Sequence, residues 1–120
     1  MYTKLKESTD TVLGYHVSGK VTRSEVEEIQ HEINQAIQDH GKIRFLGAVG
    51  DLDMPEPGAV WQDLKMLPDY IKHIERVAVV GEAKWQKWAT KLSDSVLPME
   101  ARHFTQAQLL DAWRWLKDEE

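Results

Sequence analysis

Asp51 and Asp53 stand one residue apart just after the apolar run Ile43 to Val49. At the C-terminal end of a parallel strand, two such carboxylates could hold Mg²⁺ and act as the nucleophile and acid of phosphoryl transfer. The next positions are Met54 and Pro55, neither of which adds a polar side chain to the pair. An acidic exposed loop is the better reading, and a metal-dependent phosphoryl-transfer enzyme is an outsider. The five histidines, His16, His31, His40, His73 and His103, form neither a His-x-x-x-His nor a His-x-His pair, so no local metal geometry is present. Ser24, Ser93 and Ser95 lie outside any Gly-x-Ser-x-Gly elbow. Gly81 is a lone glycine without the repeats that cradle a phosphate. There is no cysteine, hence no thiol nucleophile, thiolate zinc site or disulfide. The reading is no catalytic residue, no metal and no cofactor.

The tryptophans are the unusual feature: Trp61, Trp85, Trp88, Trp113 and Trp115. A tryptophan buries a large area, so most belong in the core. Trp61, Trp85, Trp88 and Trp115 are the ligand or interface candidates. Core packing is the competing reading for Trp85 and Trp88. Trp115 differs, because it lies about 160–200° around the final helix from Trp113 at 100° per residue. That places it off the inward face.

Composition limits the partners. The net charge is −5, from 15 Lys and Arg against 20 Asp and Glu, and the cations are scattered rather than striped. A nucleic-acid backbone binder is therefore not expected. No apolar run approaches the roughly 18 residues of a membrane span, and no basic-then-apolar secretion pattern opens the chain. The absence of cysteine fits a reducing compartment, and a cytoplasmic location is the expectation. A chain of 120 residues has the usual size of one domain, spanning residues 1–120.

These residues must be positioned by the elements around them. Val77-Ala78-Val79-Val80 has no polar side chain, as expected of a strand covered on both faces. Gly81 turns the chain into a helix on which Trp85, Trp88, Ala89 and Leu92 share a face. Tyr2 to Glu7 and Val12 to Ser18 read as a hairpin turned by Ser8, Thr9 and Asp10. Thr22-x-x-Glu25 is a capping box for a helix carrying Val26, Ile29, Ile33, Ala36 and Ile37, stopped by Gly41. Ile43 to Val49 is a strand, and a loop from Gly50 to Glu56 follows. Pro57 opens a helix through Leu67, broken at Pro68, with a second piece through Ile71 and Ile74. Ser93 to Pro98 is a loop, and Met99 to Phe104 is a short strand near an edge. Thr105-x-x-Gln108 caps a last helix with Leu109, Ala112, Trp113 and Leu116 inward. The order β-β-α-β-α-β-α-β-α predicts an α/β fold: a mixed, mostly parallel five-stranded sheet with four helices.

Val17 to Thr22, Ala59-Val60-Trp61-Gln62-Asp63-Leu64-Lys65 and Arg76 to Gly81 with Trp85 and Trp88 together resemble the bacterial SpoIIAA-like proteins of the STAS superfamily. The resemblance spans essentially the whole chain and marks fold better than function. It implies a five-stranded mixed sheet with four helices, with CRAL-TRIO lipid carriers as distant fold relatives. It also implies a comparison with anti-sigma-factor antagonists, which are switched by phosphorylation of a serine at a helix start. The matching stretch here is Met54-Pro55-Glu56-Pro57-Gly58, with Glu56 at the switch position and no hydroxyl. Such a phosphoswitch is not expected. The functional expectation is a non-enzymatic interaction module that binds a protein partner and forms a homodimer. The alternative is a carrier or sensor of a small apolar or lipid-like ligand.

Val79 lies within the buried central run, so Val79→Asp would bury an unpaired charge. The expected outcome is an aggregated protein or one without a cooperative unfolding transition in circular dichroism. A soluble, cooperatively folded variant would mean that the core lies elsewhere.

Overall fold

The computed structural model describes residues 2–19, 22–52, 72–94 and 99–117. Its elements are β1 (Tyr2–Lys4), β2 (Val12–Gly19), α1 (Arg23–His40), β3 (Ile43–Leu52), β4 (Ile74–Val80), α2 (Lys84–Ser93), β5 (Glu100–Phe104), a 3-10 turn (Gln106–Gln108) and α3 (Leu109–Leu116). The five strands form one sheet in the order β1-β2-β3-β4-β5. β1 runs antiparallel to β2, and the other neighbours are parallel. The expected mixed α/β sheet is therefore present. The expected helix after Pro57, its break at Pro68, and Asp53, Glu56 and Trp61 lie outside the described residues.

Strand alternation assigns each side chain to a face. Leu13, Tyr15, Ile43, Val49, Val77, Val79 and Ala101 belong to the cluster that meets Ile33 of α1 and Trp85 and Ala89 of α2. Val12, Leu46, Ala48, Ala78 and Val80 belong to a second cluster, with Ala112, Trp113 and Leu116 of α3. The central parallel strands are thus buried on both faces, and each fully buried aliphatic side chain contributes roughly 1.5–3 kcal/mol. The inward face predicted for the last helix is the observed one: Ala112 and Leu116 are fully buried, and Leu109 packs beside them.

The local signals act as their chemistry dictates. Thr22 Oγ1 accepts from the Glu25 backbone N–H, and the Glu25 carboxylate accepts from the Thr22 N–H. The Thr22 backbone donor is also the first cause holding the Glu25 carboxyl below its usual range. Gly41 ends α1 with φ +88°, a conformation that favours glycine, and donates its N–H to Ile37 O. Ser8 Oγ accepts from Gly14 N–H, and Thr9 Oγ1 accepts from Val12 N–H, which closes the hairpin. Thr105 and Gln108 form the second capping box, but it heads the 3-10 turn rather than α3 itself.

Several boundaries differ from expectation. β1 stops at Lys4 instead of Glu7, because the chain turns at Lys6 and Glu7 to let Ser8 N–H reach Leu5 O. β3 continues through Leu52, where it pairs with Gly19 across a register shift, so Gly50 and Asp51 are strand rather than loop. Ile74 belongs to β4, not to a helix, since it pairs with Ile43 and is buried. Ser93 closes α2 rather than opening a loop. Gly81 also has a different role. Its φ is not positive, but a Cβ there would stand 3.0 Å from Val49 O and 3.3 Å from the Trp85 ring.

The Trp113 ring of α3 lies tight against β2 at Gly14. A Cβ on Gly14 would lie 2.4 Å and 2.7 Å from two carbons of the Trp113 six-membered ring. Gly14→Ala should therefore force the indole off the sheet and destabilise the fold by about 1–3 kcal/mol, the usual range for overpacking. Trp113→Phe shortens the ring. In a urea-unfolding double-mutant cycle, the pair should cost less than the sum of its two members. Additive costs would show that the two side chains do not meet.

Candidate functional site

The side chains at the end of α3 form the most organised polar arrangement among the described residues. Arg44 and Arg76 are register partners on β3 and β4, on the face that carries α3. Arg44 Nη1 donates to Leu116 O at 2.6 Å, and Arg76 Nη1 donates to Trp115 O at 2.7 Å. The last carbonyls of a helix have no intrahelical donor and carry the negative end of its dipole, so two guanidinium groups there satisfy both needs. Glu75 approaches Arg44 at 3.7 Å, and Glu100 approaches Arg76 at 3.8 Å and Arg102 at 3.6 Å.

This clamp decides the setting of Trp115. Its indole lies under the guanidinium carbons of Arg76, at 5.2 Å, and Arg102, at 5.0 Å. The Phe104 ring stands 5.9 Å away, tilted by 47°. Trp115 is half-buried and packs against the second core cluster. It does not project freely from the far side of its helix, because the strand arginines rise to enclose it. Trp85 is buried at 8% exposure in the first cluster. Trp88 lies on α2, and Trp61 and Glu56 lie outside the described residues. Trp85 therefore does not meet Trp115, which packs with the second cluster. Trp113 Nε1 is buried and makes no hydrogen bond among the described residues.

The arginines were not singled out by sequence reasoning, which saw only scattered cations. A usable signal was present. Arg44 precedes Leu46 and Ala48 at alternate positions, and Arg76 precedes Ala78 and Val80 in the same way. An arginine in line with a buried strand face must find an acceptor at the rim of that face.

The C-terminal ends of parallel strands are where open α/β sheets usually bind ligands. Here His103 Nε2 lies 2.9 Å from Gly81 O, a contact in which the ring N–H donates. The His16 ring lies over Gly50, where a Cβ would be 3.4 Å from Nε2. The His103 ring is thus engaged by a backbone carbonyl, and His16 is exposed beside Gly50. Among the described residues, no three His, Asp or Glu side chains converge as a metal site requires.

The SpoIIAA-like family model matches residues 12–117. The chain belongs to the SpoIIAA-like family. Among solved structures it is similar to an uncharacterized protein of the DUF3478 family with a SpoIIAA-like fold from Shewanella loihica PV-4. The identity is 28%, the TM-score is 0.67, and the match covers 97% of this chain and 92% of the other. No curated protein matches. No helix among the described residues is long and apolar enough to cross a membrane.

On the opposite face of this SpoIIAA-like sheet, two tyrosines tie α1 down. Tyr2 Oη donates to Glu28 Oε2 at 2.7 Å, and Tyr15 Oη donates to Glu32 Oε2 at 2.6 Å. Lys4 adds an ion pair to Glu32 at 3.6 Å. An open concavity of about 470 Å³ lies beside them, lined by Tyr2, Ser24, Glu27, Glu28, His31 and Glu32. The hydrogen bond to Glu28 is the first cause that pushes Tyr2 up to about 12. Tyr15 is also raised, first by burial and then by its bond to Glu32.

A phenol whose pKa is raised on folding contributes in full below the unfolded value near 10, and this contribution is lost as pH rises toward the folded value. Tyr15→Phe should cost about 1–2 kcal/mol at pH 7 through the lost bond to a charged acceptor. The gap between parent and variant should narrow above about pH 10. Urea unfolding at pH 7 and at pH 10.5 measures both, and a gap that widens with pH would contradict the assignment.

Proposed function

We propose that the protein is a non-enzymatic binding module that self-associates as a homodimer and engages protein partners through the surface around Trp115. The observation that carries this reading is the clamp itself. Trp115 is held between Arg76, Arg102 and Phe104 while keeping part of its ring exposed. Tryptophan and arginine are the residues most enriched at interface hot spots. A ring already fixed by its neighbours loses little further freedom on binding, so more of its contact energy appears as affinity.

The edge of the patch also suits a two-fold contact. Glu100 and Arg102 are both about half exposed on β5, the edge strand. Opposite charges two residues apart can pair reciprocally with a second copy, as an isologous interface requires. The stretch Met54 to Gly58 offers no hydroxyl, which supports a module that works without a phosphoserine switch. A carrier of an apolar ligand would need an enclosed apolar chamber. The concavity beside α1, and another at the N-terminal ends of the parallel strands, are both open and rimmed by charged side chains. That favours the binding-module reading.

Sedimentation velocity at tens of micromolar should give a dimer, since a micromolar complex is mostly formed at that concentration. Trp115→Ala should weaken association at least tenfold. Arg102→Glu, which retains the tryptophan but reverses the charge beside it, should weaken it as well. A monomeric parent at that concentration would overturn the self-association reading. Unchanged association in both variants would move the interface elsewhere.

A further inference from the structure

We propose that the concavity at the N-terminal ends of β2, β3 and β4 binds a small organic oxyanion through His40, Lys42 and Lys117. The protein carries a net charge of −5, yet among the described residues this concavity of about 470 Å³ is lined by four basic side chains and a single carboxylate. The basic residues are those three and Arg44, and the carboxylate is Glu75.

The cations are not all needed to hold the fold. The negative end of α3 lies here, but Arg44 and Arg76 already serve its last carbonyls. Glu75 is occupied by Arg44. The side chains of His40 and Lys42 have no hydrogen-bond or ion-pair partner among the described residues. The Lys117 ammonium lies 5.2 Å above the Trp113 ring and takes no acceptor among them. Three donors are therefore left over round one hollow.

The rest of the lining fits a ligand with one charged end. Thr9 and Thr11 add hydroxyls at the rim, and Val12, Ile43 and Leu116 supply a buried apolar floor. The volume lies in the range of small-molecule sites, about 300–1,000 Å³. Charge-assisted hydrogen bonds to an oxyanion are roughly twice as strong as neutral ones. The chemistry points to a carboxylate or a phosphate monoester joined to a compact apolar body. This site is separate from the Trp115 surface in the residues it uses and does not depend on self-association.

Amide chemical shifts in ¹H–¹⁵N spectra test the proposal, with phenyl phosphate and benzoate titrated separately at ionic strength held constant with sodium chloride. The expected result is saturable shifts centred on Thr11, Lys42, Ile43 and Lys117 with at least one probe. The probe that saturates identifies phosphate or carboxylate as the preferred group. Lys42→Glu, at an exposed position, should weaken that binding at least tenfold while its spectrum otherwise stays native. Lys87→Glu, an equal charge change on α2, should leave it unaltered. Shifts that fail to saturate with both probes, or equal loss of binding in the two variants, would overturn the proposal.

Discussion

The indole of Trp113 rests directly on the backbone of β2 at Gly14, and much of the second face follows from that contact. No side chain can stand at position 14 while the ring lies there. The sheet residues that share its cluster are also slight at key points: Ala48 and Ala78 alternate with Leu46 and Val80. Small residues on the strands make room for a large one on the helix, as close packing requires. Once the ring is seated, the eight-residue helix α3 can end in only one place. Its final carbonyls fall beside the guanidinium groups of Arg44 and Arg76, and those groups then enclose Trp115.

The other face is built differently. β-branched and aromatic side chains, among them Val77, Val79 and Tyr15, meet a long helix and Trp85. Tyr15 stacks on Phe45 at 5.7 Å and meets Tyr2 edge-on at 6.0 Å. Each phenol leaves its ring in an apolar setting and sends its hydroxyl to a glutamate of α1. Packing and polar satisfaction come from the same two residues, so α1 is located both across and along the sheet. The surface ion pairs around it are worth little one by one, and the buried rings supply most of the attachment.

For a SpoIIAA-like chain, this division of labour bears on function. At the strand ends where α/β folds usually hold ligands, His103 is tied to the Gly81 carbonyl. The polar groups with spare capacity stand instead at the opposite ends of the strands and around the C-terminus of α3. Arginine serves both roles there: it satisfies helix carbonyls and offers a flat cation to an aromatic ring. The same groups that finish the fold therefore shape the exposed surface.

Elements whose signals are local could be read from the chain alone. Thr22 and Glu25 close a capping box because both partners lie within one helical turn, and Gly41 stops α1 because glycine tolerates a positive φ. Val77 to Val80 had to be central because four apolar residues in a row can be satisfied only when both faces are covered. The inward face of α3 was legible from spacing alone. Tertiary structure decided the rest, because it depends on what arrives from elsewhere in the chain. Gly14 reads as an ordinary strand glycine until Trp113, from the far end of the chain, needs its missing side chain. The extension of β3 to Leu52 rests on hydrogen bonds from β2, and Ile74 becomes a strand residue only when Ile43 pairs with it. Helical spacing put Trp115 off the core face. It could not reveal that Arg76 and Arg102, from two other strands, would reach over the ring, because an angle about one helix axis carries no information about the height of the neighbouring side chains.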